Sequence, residues 1–323
     1  SVNSGNTARR SLTGSGSTTA GLAYGGYVEP AYTGKTESYN GTSWTEVADM
    51  NELKGILGGT HSGTNTAALS MGGYGGPPGS QKFDTAEYFD GATWTQMAAM
   101  AVARNSPGGG GIATDAFICG GATPLAPGSP AYSVTSEFFS APATFTKLEV
   151  GQIWYNTTGY DLKYTSMTVP TGTWSSGGAL NTGRAWLAGG GTTTAGLAFG
   201  GVTAPSTATK NETESYNGTA WTEVNNLNTA RKQGSRGGGG SQTAGLYAGG
   251  DTANGSQTAV VEKWDGTSWT ETTDINTARR LLAGAGTQTS NIVAGGDTSP
   301  SPNVSALVES WDGSAWTETT NIN

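Results

Sequence analysis

Charge, cysteine, histidine and long apolar runs are all scarce in this chain of 323 residues. Charged residues make up 12%, about half the share usual in globular proteins. With 24 acids against 16 bases and a net charge of −8, the chain is not built to grip a phosphate backbone, so no nucleic acid is expected as a partner. A lone Cys119 excludes an internal disulfide framework. A lone His61 excludes the common histidine-based metal sites and argues against histidine acid–base catalysis. No apolar run approaches the roughly 20 residues of a membrane span, so no membrane insertion is expected. The opening SVNSGNTARR carries neither a signal-peptide pattern nor an initiator Met, as expected of a processed or trimmed chain.

Glycine and aromatic residues are abundant instead, with Gly 53, Trp 10, Tyr 12 and Phe 7. The glycines keep no three-residue period, which excludes collagen. The low apolar content would suit a disordered chain only with a high net charge, and a regular repeat argues for a fold.

The repeat is the dominant signal. A Gly-Gly pair follows a short apolar run at Gly25-Gly26, Gly72-Gly73, Gly120-Gly121, Gly200-Gly201, Gly249-Gly250 and Gly295-Gly296, in steps of 47, 48, 80, 49 and 46. A glutamate follows each pair (Glu37, Glu87, Glu137, Glu214, Glu262, Glu309), with an aromatic two residues on. An N-G or D-G turn comes next, or its nearest equivalent, and then a tryptophan: Trp44, Trp94, Trp221, Trp269 and Trp316, with Phe145 in the third place. An arginine recurs near most repeat starts: Arg9, Arg104, Arg184, Arg231 and Arg279. Each copy reads as four short strands, of which the first is Gly/Ala-rich and the last two form a hairpin. Four strands per repeat of this length describe a propeller blade. Small residues suit the crowded inner strand, and Trp and Tyr fill the wedge between diverging outer strands.

The step of 80 contains an extra segment, residues 151–181. Trp174 lies 47 residues before Trp221, the normal blade step. The expected fold is therefore an all-β propeller of seven blades with a truncated fourth; the alternative is six full blades with an inserted hairpin. A single domain spans 1–323, with repeats at about 7–51, 52–101, 102–150, a short 151–181, 182–228, 229–276 and 277–323.

The double glycine, the Glu before an aromatic–Asp/Asn pair and the following Trp resemble kelch repeats of the galactose-oxidase-like group. The wording around TAR-x-x-LAGAGTQT and ESYNGTAWTE is similar to kelch-like arrays in structural proteins of tailed phages, marine phages and cyanophages especially. GQIWYNTTGYDLKY resembles a module beside such arrays in tail-fibre and appendage proteins. The resemblance implies a virion or extracellular location and a non-enzymatic structural or receptor-binding role. It implies a host cell-surface glycan or protein receptor and other virion proteins as partners, and it allows a homo-oligomer. A secreted bacterial lectin or adhesin is the alternative, and a propeller glycosidase or lyase a more distant one. A copper site like that of galactose oxidase needs several histidines, so no cofactor or metal is expected. The D-G-x-x-W turns resemble a sialidase Asp-box one spacer residue short, a structural motif in any case.

Strand order places the second-to-third loops and the blade connections on one face, and the first-to-second and third-to-fourth turns on the other. The third-to-fourth turns are nearly identical, whereas the second-to-third loops are unrelated to one another. Variable loops on a rigid scaffold are where recognition usually sits. Tyr27, Tyr32, Tyr74 and Tyr132 are the candidate stacking residues, and Asp251 and Asp297 the candidate hydrogen-bonding ones. Recurrence at one position favours a structural role for the arginines, paired with glutamates or capping carbonyls, as it does for Gly25, Gly26, Glu37, Trp44, Trp94, Trp174, Trp221, Trp269 and Trp316. Glu29, Glu52, Asp84, Asp115, Glu149, Asp161 and Glu212 break the repeat pattern, but no pair among them is placed by sequence for glycosidase chemistry. Cys119 reads as a small core filler, and most of the Asn-x-Ser/Thr matches at Asn40, Asn156, Asn211, Asn217, Asn254 and Asn303 read as turn residues, which makes glycosylation a chance match unless the protein is eukaryotic.

Overall fold

Alternating short strands and tight turns fold into antiparallel sheets and, among the described residues, into no helix. The computed structural model describes residues 8–60, 64–76, 81–124, 131–141, 153–156, 161–164, 171–204, 208–235, 240–253, 255–299 and 303–322. His61, Phe145 and Glu149 lie outside them. Among the described residues, five four-stranded sheets and the three-stranded sheet that starts at Gly245 follow one another along the chain, with smaller two- and three-stranded sheets in the connections, an arrangement consistent with a β-propeller. Sheet one comprises Thr13–Ser17, Ala20–Tyr24, Thr36–Tyr39 and Trp44–Glu46, paired in that order. Sheets two, four and six repeat this plan, ending on Trp94–Gln96, Trp221–Val224 and Trp316–Thr319. Sheet five is described by Gly245–Ala248, Val261–Trp264 and Trp269–Thr272.

Sheet three corrects the expected order. Thr173–Ser176 pairs with Ser136–Ser140, with Trp174 opposite Phe139, so Trp174 edges the third sheet rather than a truncated blade of its own. Its indole N–H donates to the Ala98 carbonyl at 2.8 Å, as that of Trp316 donates to Thr273 at 3.1 Å. Trp174 is thus the third repeat's tryptophan. The extra residues sit within the third-to-fourth connection, where Ile153–Asn156 and Asp161–Tyr164 form a separate hairpin. Lengthening a connection is thermodynamically mild, about 0.6 kcal/mol per doubling.

The core is divided among the contacts between successive sheets. Leu22, Tyr24, Met50, Leu57, Phe89 and Trp94 fill the space between sheets one and two. Leu12, Tyr39, Trp44, Ile292, Val308 and Ile322 join sheet one to sheet six. Small inner strands permit close approach: a Cβ added at Gly14 would lie 3.0 Å from the Gly284 carbonyl oxygen across those two sheets. At the Gly-Gly corners, Gly25 has φ +66° and a Cβ there would lie 2.6 Å from the Lys54 carbonyl oxygen, so glycine is required for both conformation and space.

A second device links all six repeats. Two residues beyond each recurrent cation, the backbone enters the left-handed region at Ser11, Ile56, Ser106, Trp186, Gln233 and Leu281, with φ between 56° and 62°. Ser11 N–H donates to the Leu281 carbonyl, Ile56 to Ser11, Ser106 to Ile56, Trp186 to Ser106, Gln233 to Trp186 and Leu281 to Gln233, at 2.7–3.1 Å. The six bonds run head to tail and return to their starting residue. Each such non-glycine residue costs on the order of 1–2 kcal/mol, and the shared bonds hold it there.

Candidate functional site: the loop face

The recurrent arginines are structural. Arg9, Arg104, Arg184, Arg231 and Arg279 are buried and ion-paired with Glu37, Glu137, Glu214, Glu262 and Glu309, and Lys54 faces Glu87 at 3.4 Å. Burial opposes charge on both members: it lowers the pKa of Arg9, Arg104 and Arg279 and raises that of Glu37, while each partner's charge offsets the effect. The guanidinium also caps strand carbonyls; Arg184 Nη1 donates to Gly200 at 2.9 Å and to Glu212 at 2.7 Å. An asparagine three residues before the cation completes the cluster. Asn228 donates through its backbone N–H and its amide to Glu262 Oε2, at 2.7 and 2.9 Å, and to the Trp269 carbonyl at 2.9 Å. Asn51, Asn181 and Asn276 hold their neighbouring sheets in the same way. Sequence reasoning passed over these asparagines, although the N-x-x-R or N-x-x-K spacing recurs in plain view.

The turn face is equally repetitive. The first residue of each N-G or D-G turn accepts two backbone N–H bonds, as Asp265 Oδ1 does from Thr267 and Ser268 at 2.8 and 2.7 Å. Those donors hold the carboxyls of Asp265 and Asp312 below the usual carboxylate range.

The loop face differs from repeat to repeat. Just after each Gly-Gly corner the chain pairs with the blade connection: Arg10 with Tyr27, Gly55 with Tyr74, Asn105 with Ala122, Ala185 with Val202, Lys232 with Asp251 and Arg280 with Asp297. One half of this circuit is charged and the other is small, apolar or amide-bearing. Three expected aromatics meet there. Tyr27 and Tyr32 pack edge to face at 5.0 Å, and Tyr32 packs likewise on Tyr74 at 5.7 Å. Burial, with the neighbouring phenols Tyr74 and Tyr27, pushes the Tyr32 hydroxyl up to about 12. Tyr132 sits on the third sheet's loop hairpin opposite Ala122, and among the described residues no ring contact joins it to the other three.

Asp251 and Asp297 are 1% and 0% exposed, so they organise the face from beneath. Arg280 lies between them, its Nη1 2.8 Å from Asp251 Oδ2 and its Nη2 2.9 Å from Asp297 Oδ2. Burial acts to lower the Arg280 pKa, but the two carboxylates outweigh it and raise it. Arg10 continues the chain: 3.8 Å from Asp297, 3.0 Å from Glu29, and over the Tyr27 ring at 5.0 Å. Tyr27 donates its hydroxyl to Glu29 at 3.1 Å. Sequence spacing could not reveal Arg280 and Arg10 as the links, because each lies beside a buried structural arginine.

Cys119 is fully buried, and burial pushes its thiol up to about 12. Among the described residues no group of three or more His, Cys, Asp or Glu is placed to hold a metal ion. No family model and no curated protein matches the chain.

Proposed function

We propose that the chain is a six-bladed, closed, kelch-type β-propeller that serves without catalysis as a virion structural and receptor-binding protein of a tailed phage. Its loop face would meet a host-surface glycan or protein. The head-to-tail bonds through Ser11, Ile56, Ser106, Trp186, Gln233 and Leu281 support six blades and closure, as does the packing of sheet one on sheet six. The kelch and phage assignments rest on the repeat wording of the sequence.

The observation that carries the recognition role is the contrast between faces. Turn residues do the same structural task in repeat after repeat, whereas the loops bring different chemistry to one surface on a rigid support. The non-enzymatic reading draws on two features. The glutamates before the strand aromatics are engaged in buried ion pairs and the turn aspartates in turn hydrogen bonds, and a pocket among the inner strands of sheets one to four, lined by Thr13, Gly58, Gly109 and Gly189, holds only about 10 Å³, room for about one water. A secreted bacterial lectin or adhesin would use the same face.

The test is attachment to host cells. Tyr27→Ala, Tyr32→Ala and Tyr132→Ala are expected to weaken it while the chain stays folded, at about 1 kcal/mol for each ring contact that the half-buried Tyr27 and Tyr32 lose. Loss of attachment only from turn-face changes, or turnover of a polysaccharide by the purified protein, would overturn the proposal.

A further inference from the structure

An open cavity of about 300 Å³ lies on the loop face between sheets five and six, lined by Gly255, Ser256, Gln257, Arg280 and Ser299. That volume is at the small end for ligand sites and matches about ten water molecules at roughly 30 Å³ each, enough for a single sugar ring. Arg280 in its wall is pinned by two buried carboxylates, so its plane is fixed before any ligand arrives. Its charge is also spent. Asp251, Asp297 and Glu29 stand against Arg280 and Arg10, three carboxylates to two guanidiniums. The site therefore offers no net attraction to an anion.

Its unmet demand is for donors. Asp251 Oδ1 and Gln257 Oε1 are buried and have no hydrogen-bond partner among the described residues, and Asp251 pairs through its backbone with Gln257 in the cavity wall. Leaving such acceptors unsatisfied is costly. Of the two only Gln257 lines the cavity, and a hydroxyl-rich, uncharged ligand supplies a donor to its amide while accepting from the Ser256 and Ser299 hydroxyls. From this cavity the line Arg280–Asp297–Arg10 leads to the Tyr27–Tyr32–Tyr74 cluster.

We infer that this cavity is a subsite for one ring of a neutral saccharide, with neighbouring rings of the same chain lying toward the tyrosines. The inference rests on the recognition role proposed above and names its ligand class and place. The probes are methyl pyranosides of glucose, galactose, mannose and N-acetylglucosamine, their linear oligosaccharides, and sulfate and N-acetylneuraminic acid as anions, followed by saturation-transfer NMR and calorimetry on the full chain. At least one neutral pyranoside is expected to bind, and the anions not to compete. Gln257→Leu and Ser299→Ala should weaken it at least tenfold without lowering the urea midpoint. Tyr27→Ala should weaken an oligosaccharide but not the monosaccharide. Absence of binding by every neutral sugar to the parent chain, preference for the anions, or binding indifferent to Gln257→Leu would overturn it. If loop-face variants still lose host attachment while no sugar binds, this inference fails and the recognition role stands on a protein receptor.

Discussion

Replacing Glu262 with Leu removes the acceptor at the centre of one buried cluster. Glu262 and Arg231 side chains are both 0% exposed, 2.5 Å apart, and the other carboxylate oxygen takes the Asn228 backbone N–H at 2.7 Å. The variant strands a buried guanidinium, a loss of about 3–5 kcal/mol, and takes the acceptor from the part-buried Asn228 N–H, about 1 kcal/mol more. Arg231 keeps the Tyr247 carbonyl at 3.0 Å and the Tyr247 ring at 4.6 Å, which blunts the first loss, so a net destabilisation of about 3–5 kcal/mol is expected. Against a total stability of roughly 5–15 kcal/mol, that is a large share. With a urea slope near 3 kcal/mol/M, the midpoint should fall by on the order of 1 M. Adding Arg231→Met removes the stranded charge, and the double variant should recover all but about 1–3 kcal/mol, because buried ion pairs replaced by apolar groups are often neutral. Equilibrium urea unfolding of the four proteins measures the coupling. A loss below about 1 kcal/mol for Glu262→Leu, or a double variant no more stable than the single, would refute the reasoning.

Ser106→Gly should raise stability by about 1 kcal/mol, since glycine accepts the φ of 56° without strain and the buried serine hydroxyl has no described partner; thermal or urea unfolding reads it. Trp174→Ala should cost about 2–3 kcal/mol by unfolding, because its half-buried ring packs on Phe139 at 5.3 Å. Replacing residues 143–170 with a two-residue Asn-Gly turn should leave a folded, cooperative protein, whereas aggregation would point back to a separate blade. The lowered carboxyls of Asp265 and Asp312 contribute stability that is present above their ordinary value of 3.8 and is lost as pH falls through the lower folded value. Replacing both with Asn, as Asn40 and Asn217 already stand in sister turns, should flatten that acid limb of the urea midpoint.

Much of this architecture is legible in the residues because the same physical demands recur in each repeat. The Gly-Gly corners, the buried Glu before an aromatic and the wedge tryptophans announce the four-stranded unit, and repetition correctly marks the arginines as structural. The extra segment misleads because strand pairing is not a function of spacing: Phe145 occupies the expected tryptophan slot in sequence, while Ser136–Ser140 pairs some 30 residues later with the strand of Trp174. Trp174 lies 47 residues before Trp221, which is the step from one blade's tryptophan to the next, so the signal was present but read as a new blade. On the loop face, sequence selects the tyrosines and aspartates as residue types suited to binding. It cannot show that Asp251 and Asp297 face inward onto Arg280, since that depends on pairings between a corner and a connection.

The central claim is that the loop face makes the functional contact, and the buried single cysteine allows a direct measurement of it. Ala31→Cys on a loop hairpin and Ala92→Cys in a third-to-fourth turn are both exposed, and a thiol-reactive polyethylene glycol would label either while sparing Cys119, whose thiol is buried. Binding of each labelled protein to host cells is then compared with its unlabelled parent. The account predicts that the polymer at position 31 abolishes binding and that the polymer at position 92 leaves it intact; blockage from position 92 with free binding from position 31 would contradict it.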